Sequence, residues 1–229
     1  PFLRPVARVR PLDSPARQLL MKVQLVHPPL YLNVHAMTAL RPSLPLGLAY
    51  IAAALRKAGH SVSLLDAVAL APEKVTRNDA KKQLFALGLT VEEIVERLDP
   101  SAEVFGVTNM WTFSWPLVRE LILRMKERFP HIPIVCGGEH FSGLPELSMQ
   151  QAPIDFIIRG EGEEGAVEVI NGLAIGTTRV DWSEVPGIWY RDAAGQPVSS
   201  RLSRERIRSV DTIPWPVWDL IDIDVYNAH

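Results

Sequence analysis

The feature that most constrains the fold is a five-fold alternation of short apolar runs with helix-like stripes. The apolar runs lie at residues 23–27, 61–65, 103–108, 132–136 and 154–158. Apolar residues at helical spacing separate them, as in the stripe that starts at Leu46 and stops before Gly59. Strands that alternate with helices form a parallel sheet covered on both faces, with right-handed crossovers. We therefore predict an α/β protein with a five-stranded parallel sheet in the order 2-1-3-4-5.

Three regions lie outside this pattern. Residues 1–20 are rich in arginine and proline and show no apolar period, so we predict a flexible leader. The insertion after Asp66 contains Thr90-Val-Glu-Glu93, which has the form of a capping box, and we predict one or two helices there. Residues 186–191 and 198–201 predict a β-hairpin, followed by a linker rich in proline and tryptophan. The predicted organisation is a leader (1–20), a compact domain (21–180) and a hairpin with connector (181–229).

Composition excludes several kinds of site and partner. The 24 basic and 26 acidic side chains give a net charge of -2, which supplies no basic face for nucleic acid. Cys136 is the one cysteine, so the chain has neither an internal disulfide nor a thiolate set for zinc or an iron–sulfur cluster. No apolar run approaches the roughly 18 to 20 residues of a membrane span, and a cytoplasmic location is the default expectation.

The unusual residues follow the strands, at the edge where an open parallel sheet binds ligands. The first loop is long and ends in Leu44-Pro45-Leu46-Gly47, which brings apolar side chains to that edge. Residues 108–115 alternate hydroxyl and amide groups with large apolar side chains. The pair Gly137-Gly138 lets the backbone approach a ligand closely. Together these loops favour a large, amphiphilic ligand over a phosphate group.

Five segments, in this order and spacing, resemble the cobalamin-binding domain that precedes the catalytic barrel in cobalamin-dependent radical SAM enzymes. The resemblance covers about residues 21–226 and implies a Rossmann-like, flavodoxin-like fold. The segments are His27-Pro28-Pro29, residues 45–55 with Gly59-His60, Gly137-Gly138-Glu139-His140, Arg159-Gly160-Glu161-Gly162-Glu163, and residues 213–220.

The resemblance implies a corrinoid lying across the carboxyl edge of the sheet. Its nucleotide tail would enter between sheet and helices beside Thr108, Thr112 and the glycine pair, and residues 41–46 would face its lower side. No residue is predicted to be catalytic or to bind a metal. The predicted cofactor-binding residues are Arg41, Leu44, Pro45, Leu46, Thr108, Asn109, Trp111, Thr112, Gly137, Gly138, Glu139, His140, Arg159, Gly160, Glu161 and Gly162.

Two departures from related proteins refine this interpretation. The Asp-x-His-x-x-Gly motif that supplies an axial histidine in better-known corrinoid proteins is absent, since His35 is followed by Ala36, Met37 and Thr38. We therefore expect base-off cobalamin without a nitrogen ligand from the protein. The three cysteines of the radical SAM cluster are also missing, so this chain alone cannot cleave S-adenosylmethionine.

In the family, the barrel follows the Pro-Trp-Pro segment, here Pro214-Trp215-Pro216, near the end of this sequence. We therefore expect a fragment of a longer enzyme whose barrel, in the same chain, holds a 4Fe–4S cluster and S-adenosylmethionine. What the resemblance implies for that enzyme is usually methyl transfer, although some relatives cyclise or contract rings. Whether this chain counts as an enzyme by itself stays open.

Alternatives remain at this point. The chain could be a stand-alone corrinoid carrier or sensor. The spacing Gly160-x-Gly162-x-x-Gly165 also matches a dinucleotide fingerprint, but Glu161, Glu163 and Glu164 place negative charge where a pyrophosphate should bind, which favours a capped helix start. Cys136 is interpreted as a buried, inert thiol. Among the histidines, His140 is the least improbable ligand for cobalt.

Overall fold

The computed structural model describes residues 20–33, 42–77 and 84–228. The predicted leader, except for residue 20, and Arg41 lie outside the described residues. The strands are β1 (Lys22–His27), β2 (Leu30–Asn33), β3 (Ser61–Asp66), β4 (Val75–Arg77), β5 (Leu84–Leu87), β6 (Val104–Thr108), β7 (Ile134–Gly137), β8 (Phe156–Ile158), β9 (Ile188–Arg191) and β10 (Pro197–Ser199). The helices are α1 (Leu46–Lys57), α2 (Val91–Arg97), α3 (Trp115–Arg128), α4 (Glu139–Gly143), α5 (Pro145–Gln151), α6 (Glu163–Ile175) and α7 (Ile223–Ala228).

The main sheet has the order β10-β9-β8-β7-β6-β1-β3. Its parallel part, β3-β1-β6-β7-β8, has the predicted 2-1-3-4-5 winding. The prediction of a five-stranded sheet was wrong, because the C-terminal hairpin does not stand apart from it. Strand β9 pairs antiparallel with β8, and β10 pairs with β9, which gives seven strands. The hairpin thereby covers backbone groups that an edge strand β8 would leave unpaired.

A second, smaller sheet was not predicted. It has the order β2-β5-β4 and pairs the segment after β1 with the insertion that follows β3. The first loop was predicted to lack regular structure, and the insertion was predicted to carry helices only. Helix α2 does begin with the predicted capping box: Glu93 N donates to Thr90 Oγ1 at 3.3 Å, and Thr90 N donates to Glu93 Oε2 at 2.9 Å.

Each face of the main sheet packs against its own helices, because side chains alternate along every strand. One face buries Phe105, Ile134 and Cys136 beneath α2, α3, α4 and α5. The other face buries Leu25 and Val135 against α1 and α6. Cys136 is 1% exposed, and burial raises the pKa of its thiol well above the usual value, consistent with the predicted inert thiol. Both faces are therefore closed cores, except at the carboxyl end of the second.

Several polar contacts attach the C-terminal connector to the sheet domain. The Arg56 guanidinium of α1 makes two hydrogen bonds, of 2.9 and 2.8 Å, to the Asp219 carboxylate. Arg204 pairs with Glu164 and Glu168 on α6. The Tyr226 hydroxyl of α7 donates to Asp66 Oδ2 at 2.6 Å. Within the described residues, no helix is long and apolar enough to cross a membrane.

Candidate functional site

A cleft of about 240 Å³ opens at the carboxyl end of the sheet, between the sheet face and helices α1 and α6. Its floor is formed by strands β1, β6, β7 and β8, and its walls by the two helices. Seven of the residues predicted to bind the cofactor line it: Thr108, Gly137, Gly138, Glu139, Gly160, Glu161 and Gly162. Apolar side chains line the deeper part: Val23, Leu25, Leu48, Ile51, Leu55, Val104, Val135, Ile158, Ala166 and Ile170.

Gly106 shapes the cleft floor by letting the Leu25 side chain pack directly over the strand. It lies in the middle of β6, opposite Leu25 of β1 and Val135 of β7. A Cβ atom at position 106 would lie 2.5 Å from Leu25 Cδ2, so a side chain there would force Leu25 to move. Glycine destabilises a strand interior because it loses more backbone entropy on folding than other residues and has no side chain to pack. Its presence in β6 is therefore explained by the close approach of the Leu25 side chain, which packs over it on the face of the cleft.

Gly138 sets the backbone path at the edge. Its φ of 107° is a conformation that residues with a side chain rarely adopt, and a Cβ there would lie 2.6 Å from the Asn109 carbonyl oxygen. This turn brings the start of α4 against the loop after β6, where His140 N donates to the same carbonyl at 3.2 Å. The two loops are thereby held together at the mouth of the cleft.

The mouth carries carboxylates from the loop after β8 and from the first turn of α6. Glu161 Oε2 accepts a hydrogen bond of 2.6 Å from Ile207 N, which ties the C-terminal connector to the loop. Glu163 Oε2 is buried in the cleft lining and has no hydrogen-bond partner in the described part of the chain. An ionised carboxylate only accepts hydrogen bonds, and a buried acceptor without a donor is costly. The site is therefore suited to a ligand that offers N–H or O–H groups.

The same carboxylates argue against the dinucleotide interpretation. Helix α6 starts at Glu163, with Glu163 and Glu164 in its first turn, where their charges complement the helix dipole. A pyrophosphate at this helix terminus would meet these negative charges instead of free backbone N–H groups and cations. The glycine spacing is better explained by packing, because a Cβ at Gly165 would lie 2.7 Å from Ile158 Cγ2.

His140 lies beside the cleft, in the opposite core. It is 2% exposed, with Nδ1 3.2 Å from Thr112 Oγ1 and Nε2 3.2 Å from Ser148 Oγ. Its ring stacks on Trp115 with centroids 4.9 Å apart. Burial lowers the pKa of His140, which keeps the ring neutral near pH 7. Both ring nitrogens have protein partners, so the geometry favours a structural role over cobalt ligation.

A second polar cluster closes the other half of the carboxyl edge, where β1 and β3 end. Asp66 is 6% exposed, and its Oδ1 lies 2.9 Å from His27 Nδ1 and accepts hydrogen bonds from Val68 N and Ala69 N. Burial alone would raise the pKa of Asp66, but the His27 contact and the hydrogen bonds from Tyr226 and Ala69 outweigh it and lower that pKa. Burial beside this carboxylate raises the pKa of the Tyr226 hydroxyl.

The other predicted cofactor-binding residues lie elsewhere. Leu44 packs near Val68, Pro45 is buried at the start of α1, and Leu46 is exposed. Asn109 is buried, with its Oδ1 2.6 Å from Ser114 Oγ. That contact also explains why Ser114, which directly precedes α3, makes no capping hydrogen bond with its side chain. Trp111 is exposed and stacks on Phe113, Thr112 contacts His140, and Arg159 Nε donates to the Ser142 carbonyl oxygen at 3.3 Å.

The prediction missed Gly106, Glu163 and the apolar floor and walls of the cleft. For Gly106 the sequence did contain a signal, because an isolated glycine inside a strand pattern indicates the close approach of another group. The alternation of β1 and β7 places Leu25 and Val135 on one face, but the sequence does not show which face carries the cleft. The orphaned oxygen of Glu163 depends on tertiary packing, which no local pattern reveals.

Known proteins share sequence and fold with this chain. Residues 34–170 match the B12 binding domain family. An uncharacterized methyltransferase of Pyrococcus horikoshii is 30% identical over 209 residues, which span 91% of this chain and 40% of that relative. The radical S-adenosylmethionine methyltransferase TsrM of Kitasatospora setae, solved with cobalamin and a 4Fe–4S cluster bound, shares the fold at 21% identity, with a TM-score of 0.55 over 86% of this chain and 31% of that one.

The cobalamin-dependent S-adenosylmethionine radical enzyme OxsB, solved with aqua-cobalamin and S-adenosylmethionine bound, gives a TM-score of 0.63 at 20% identity over 91% of this chain and 25% of that one. The chain therefore spans less than half the length of each of these three proteins. The family match covers more than half of the chain, including α1, strands β6, β7 and β8 and the loops that follow those strands. The chain thus belongs to the B12 binding domain family.

Proposed function

We propose that this chain holds cobalamin in its base-off form, with the nucleotide tail in the cleft between the sheet, α1 and α6. The observation that carries the proposal is the glycine-lined cleft of about 240 Å³ at the carboxyl edge of the parallel sheet. The cleft lies between the sheet and two helices and has an apolar interior, which suits the flat aromatic base of the tail. The corrin ring would then remain outside, across the carboxyl edge.

The residues present fit such a ligand. Gly160 faces open space at the mouth of the cleft, and a Cβ at Gly137 would meet only the Ile158 carbonyl oxygen at 3.9 Å, so both positions leave room for a ligand. Glu163 Oε2 lacks a donor within the described residues, and cobalamin carries amide N–H groups and ribose hydroxyls. The protein would bind and orient the tail, and its apolar floor would exclude water from it. Bound cobalamin supplies a cobalt centre that can carry a methyl group.

We expect no nitrogen ligand from the described residues to cobalt. His27 contacts Asp66, His140 contacts Thr112 and Ser148, and His60 lies between Met21 N and Asn171 Oδ1. Each of these rings is already engaged in the fold. His35 lies outside the described residues, and its sequence context lacks the axial-ligand motif.

For the whole protein, the proposal is a cobalamin-dependent radical SAM enzyme that transfers methyl groups. The names of the relatives support this class, since both the Pyrococcus relative and TsrM are described as methyltransferases. The iron–sulfur cluster and S-adenosylmethionine would bind to a barrel domain in the same chain. A stand-alone carrier would share the same cleft, and an activity assay of the complete gene product separates the two.

The binding test uses the purified chain, mixed anaerobically with hydroxocobalamin and passed through gel filtration. We expect near-stoichiometric cobalt in the protein peak and a base-off visible spectrum. The variant Ala166→Leu places a larger side chain in the cleft wall and should abolish retention, whereas Ala174→Leu, the same change on α6 outside the cleft lining, should not. Folded wild-type protein without cobalt would overturn the proposal.

A further inference from the structure

The cleft has an uneven distribution of polar groups. The polar side chains that line it are those of Thr108, Glu139, Glu161 and Glu163, and all four follow the ends of strands at the mouth. Cys136 also lines the cleft, but its side chain belongs to the core on the opposite face of the sheet. The deeper residues, such as Leu25, Val135 and Ile170, are all aliphatic.

The interior therefore offers no side-chain hydrogen bond to a buried group among the described residues. The main-chain groups of the floor offer little more, because β1, β6 and β7 are each paired on both sides within the sheet. The buried His60 contacts the exposed Asn171 at 3.0 Å, and neither residue lines the cleft. A polar group carried into this space would lose its bonds to water without compensation.

We infer that the cleft selects among cobamides by their lower base, accepting an apolar aromatic base and rejecting adenine. Adenine carries an exocyclic amine and several ring nitrogens, each of which needs a hydrogen-bond partner when buried. A cresol base has no such ring atoms, and a dimethylbenzimidazole base has fewer of them than adenine. This selectivity rests on the proposed function, because it requires the nucleotide tail to enter the cleft.

The test compares three corrinoids on the full chain by equilibrium titration. These are p-cresolylcobamide, adeninylcobamide and cobinamide, which has no lower base. Cresol cannot coordinate cobalt and adenine does so weakly, so the comparison is little affected by the cost of base release. We expect adeninylcobamide to bind at least tenfold more weakly than p-cresolylcobamide, which corresponds to about 1.4 kcal/mol. Cobinamide should also bind at least tenfold more weakly than p-cresolylcobamide.

The outcomes separate the inference from the function on which it rests. Equal affinity for the cresol and adenine cobamides, with weaker binding of cobinamide, would overturn the selectivity and leave tail insertion intact. Equal affinity for all three would show that the tail stays outside the cleft and would overturn both statements. No binding of any corrinoid by folded protein would do the same.

A pair of variants sharpens the result. Val135→Thr adds a hydroxyl to the cleft lining. It should reduce the ratio of the affinity for p-cresolylcobamide to the affinity for adeninylcobamide at least threefold. Val62→Thr makes the same change at a buried position on the same face that does not line the cleft, and it should leave the ratio unchanged. An unchanged ratio in folded Val135→Thr would contradict the inference. If that variant does not fold, the wild-type ratio alone decides.

Discussion

The two halves of the carboxyl edge of the sheet differ in how completely their polar groups are paired and their space is filled. Where β1 and β3 end, His27, Asp66 and Tyr226 form a buried network in which every carboxylate oxygen has a partner. Where β6, β7 and β8 end, the edge consists of glycines and a cleft, and Glu163 Oε2 has no partner in the described chain. The first half holds the chain together, and the second leaves space and unsatisfied hydrogen-bonding capacity for a ligand.

This difference changes how functional residues should be recognised here. Titratable residues such as His27 and His140 attract attention in the sequence, yet both have partners inside the fold. The candidate site instead depends on positions without side chains, above all Gly137 and Gly160, which leave room at the mouth of the cleft. If the comparison holds, substitutions where β1 and β3 end should change stability and leave corrinoid affinity unchanged. Substitutions where β6, β7 and β8 end should change corrinoid affinity and leave stability unchanged.

The largest effect is expected for Asp66→Ala. The substitution removes the acceptor of bonds from His27, Tyr226 and two backbone N–H groups in a buried setting, so the free energy of unfolding should fall by about 3 kcal/mol. Urea denaturation followed by circular dichroism measures this. Tyr226→Phe, which removes one of these bonds, should cost about 1 kcal/mol. A cobalamin affinity that falls tenfold in folded Asp66→Ala would break the comparison.

The pH dependence of the free energy of unfolding should reflect the titration of Asp66. Its pKa is lowered in the folded state, so the native carboxylate stays ionised at a pH where the unfolded one, with a pKa of about 3.9, takes up a proton. The stabilisation is fully present above about pH 5 and is lost as the pH falls through the folded pKa. Urea midpoints between pH 6 and pH 3 should therefore fall more steeply for wild type than for Asp66→Asn. Parallel curves would contradict the account.

A tenfold loss of cobalamin affinity is expected for Glu163→Gln, because the buried oxygen that accepts from the ligand becomes part of an amide. The control is Glu164→Gln, which changes the same charge in the same helical turn but at a side chain that faces Arg204. Equilibrium titration with hydroxocobalamin measures both. Equal affinities of the two variants would show that Glu163 does not contact the ligand.

The smallest effect is expected for His140→Gln. If no histidine of the described chain binds cobalt, the visible spectrum of the cobalamin complex should be unchanged, and the affinity should change less than threefold. Stability should respond instead. The pKa of His140 is lowered by burial, so the wild type should lose stability as the pH falls below about 6.5, and the variant should lose less. A spectral shift in the variant would identify His140 as a ligand.

Periodicity predicted the parallel strands, their winding and the capping box of α2, because each depends on short-range pattern and general packing rules. The small sheet was missed, since β4 has three residues and β2 pairs with β5, which lies far away in the sequence. The hairpin was recognised, but not its addition to β8. For the site, glycine loops marked the edge. The sequence did not show that Trp111, His140 and Asn109 lie outside the cleft lining, because residue type does not reveal which face of the sheet a loop side chain reaches.

Hydrogen exchange with and without hydroxocobalamin tests the central claim most directly, because it reports both halves of the edge in one experiment. We predict protection on binding at residues 106–108, 137–139 and 160–163, with little change at residues 66–69 and 223–228. Protection concentrated at residues 66–69 and 223–228, with none around Gly137 and Gly160, would show that the ligand binds at the half assigned a structural role and would contradict the account.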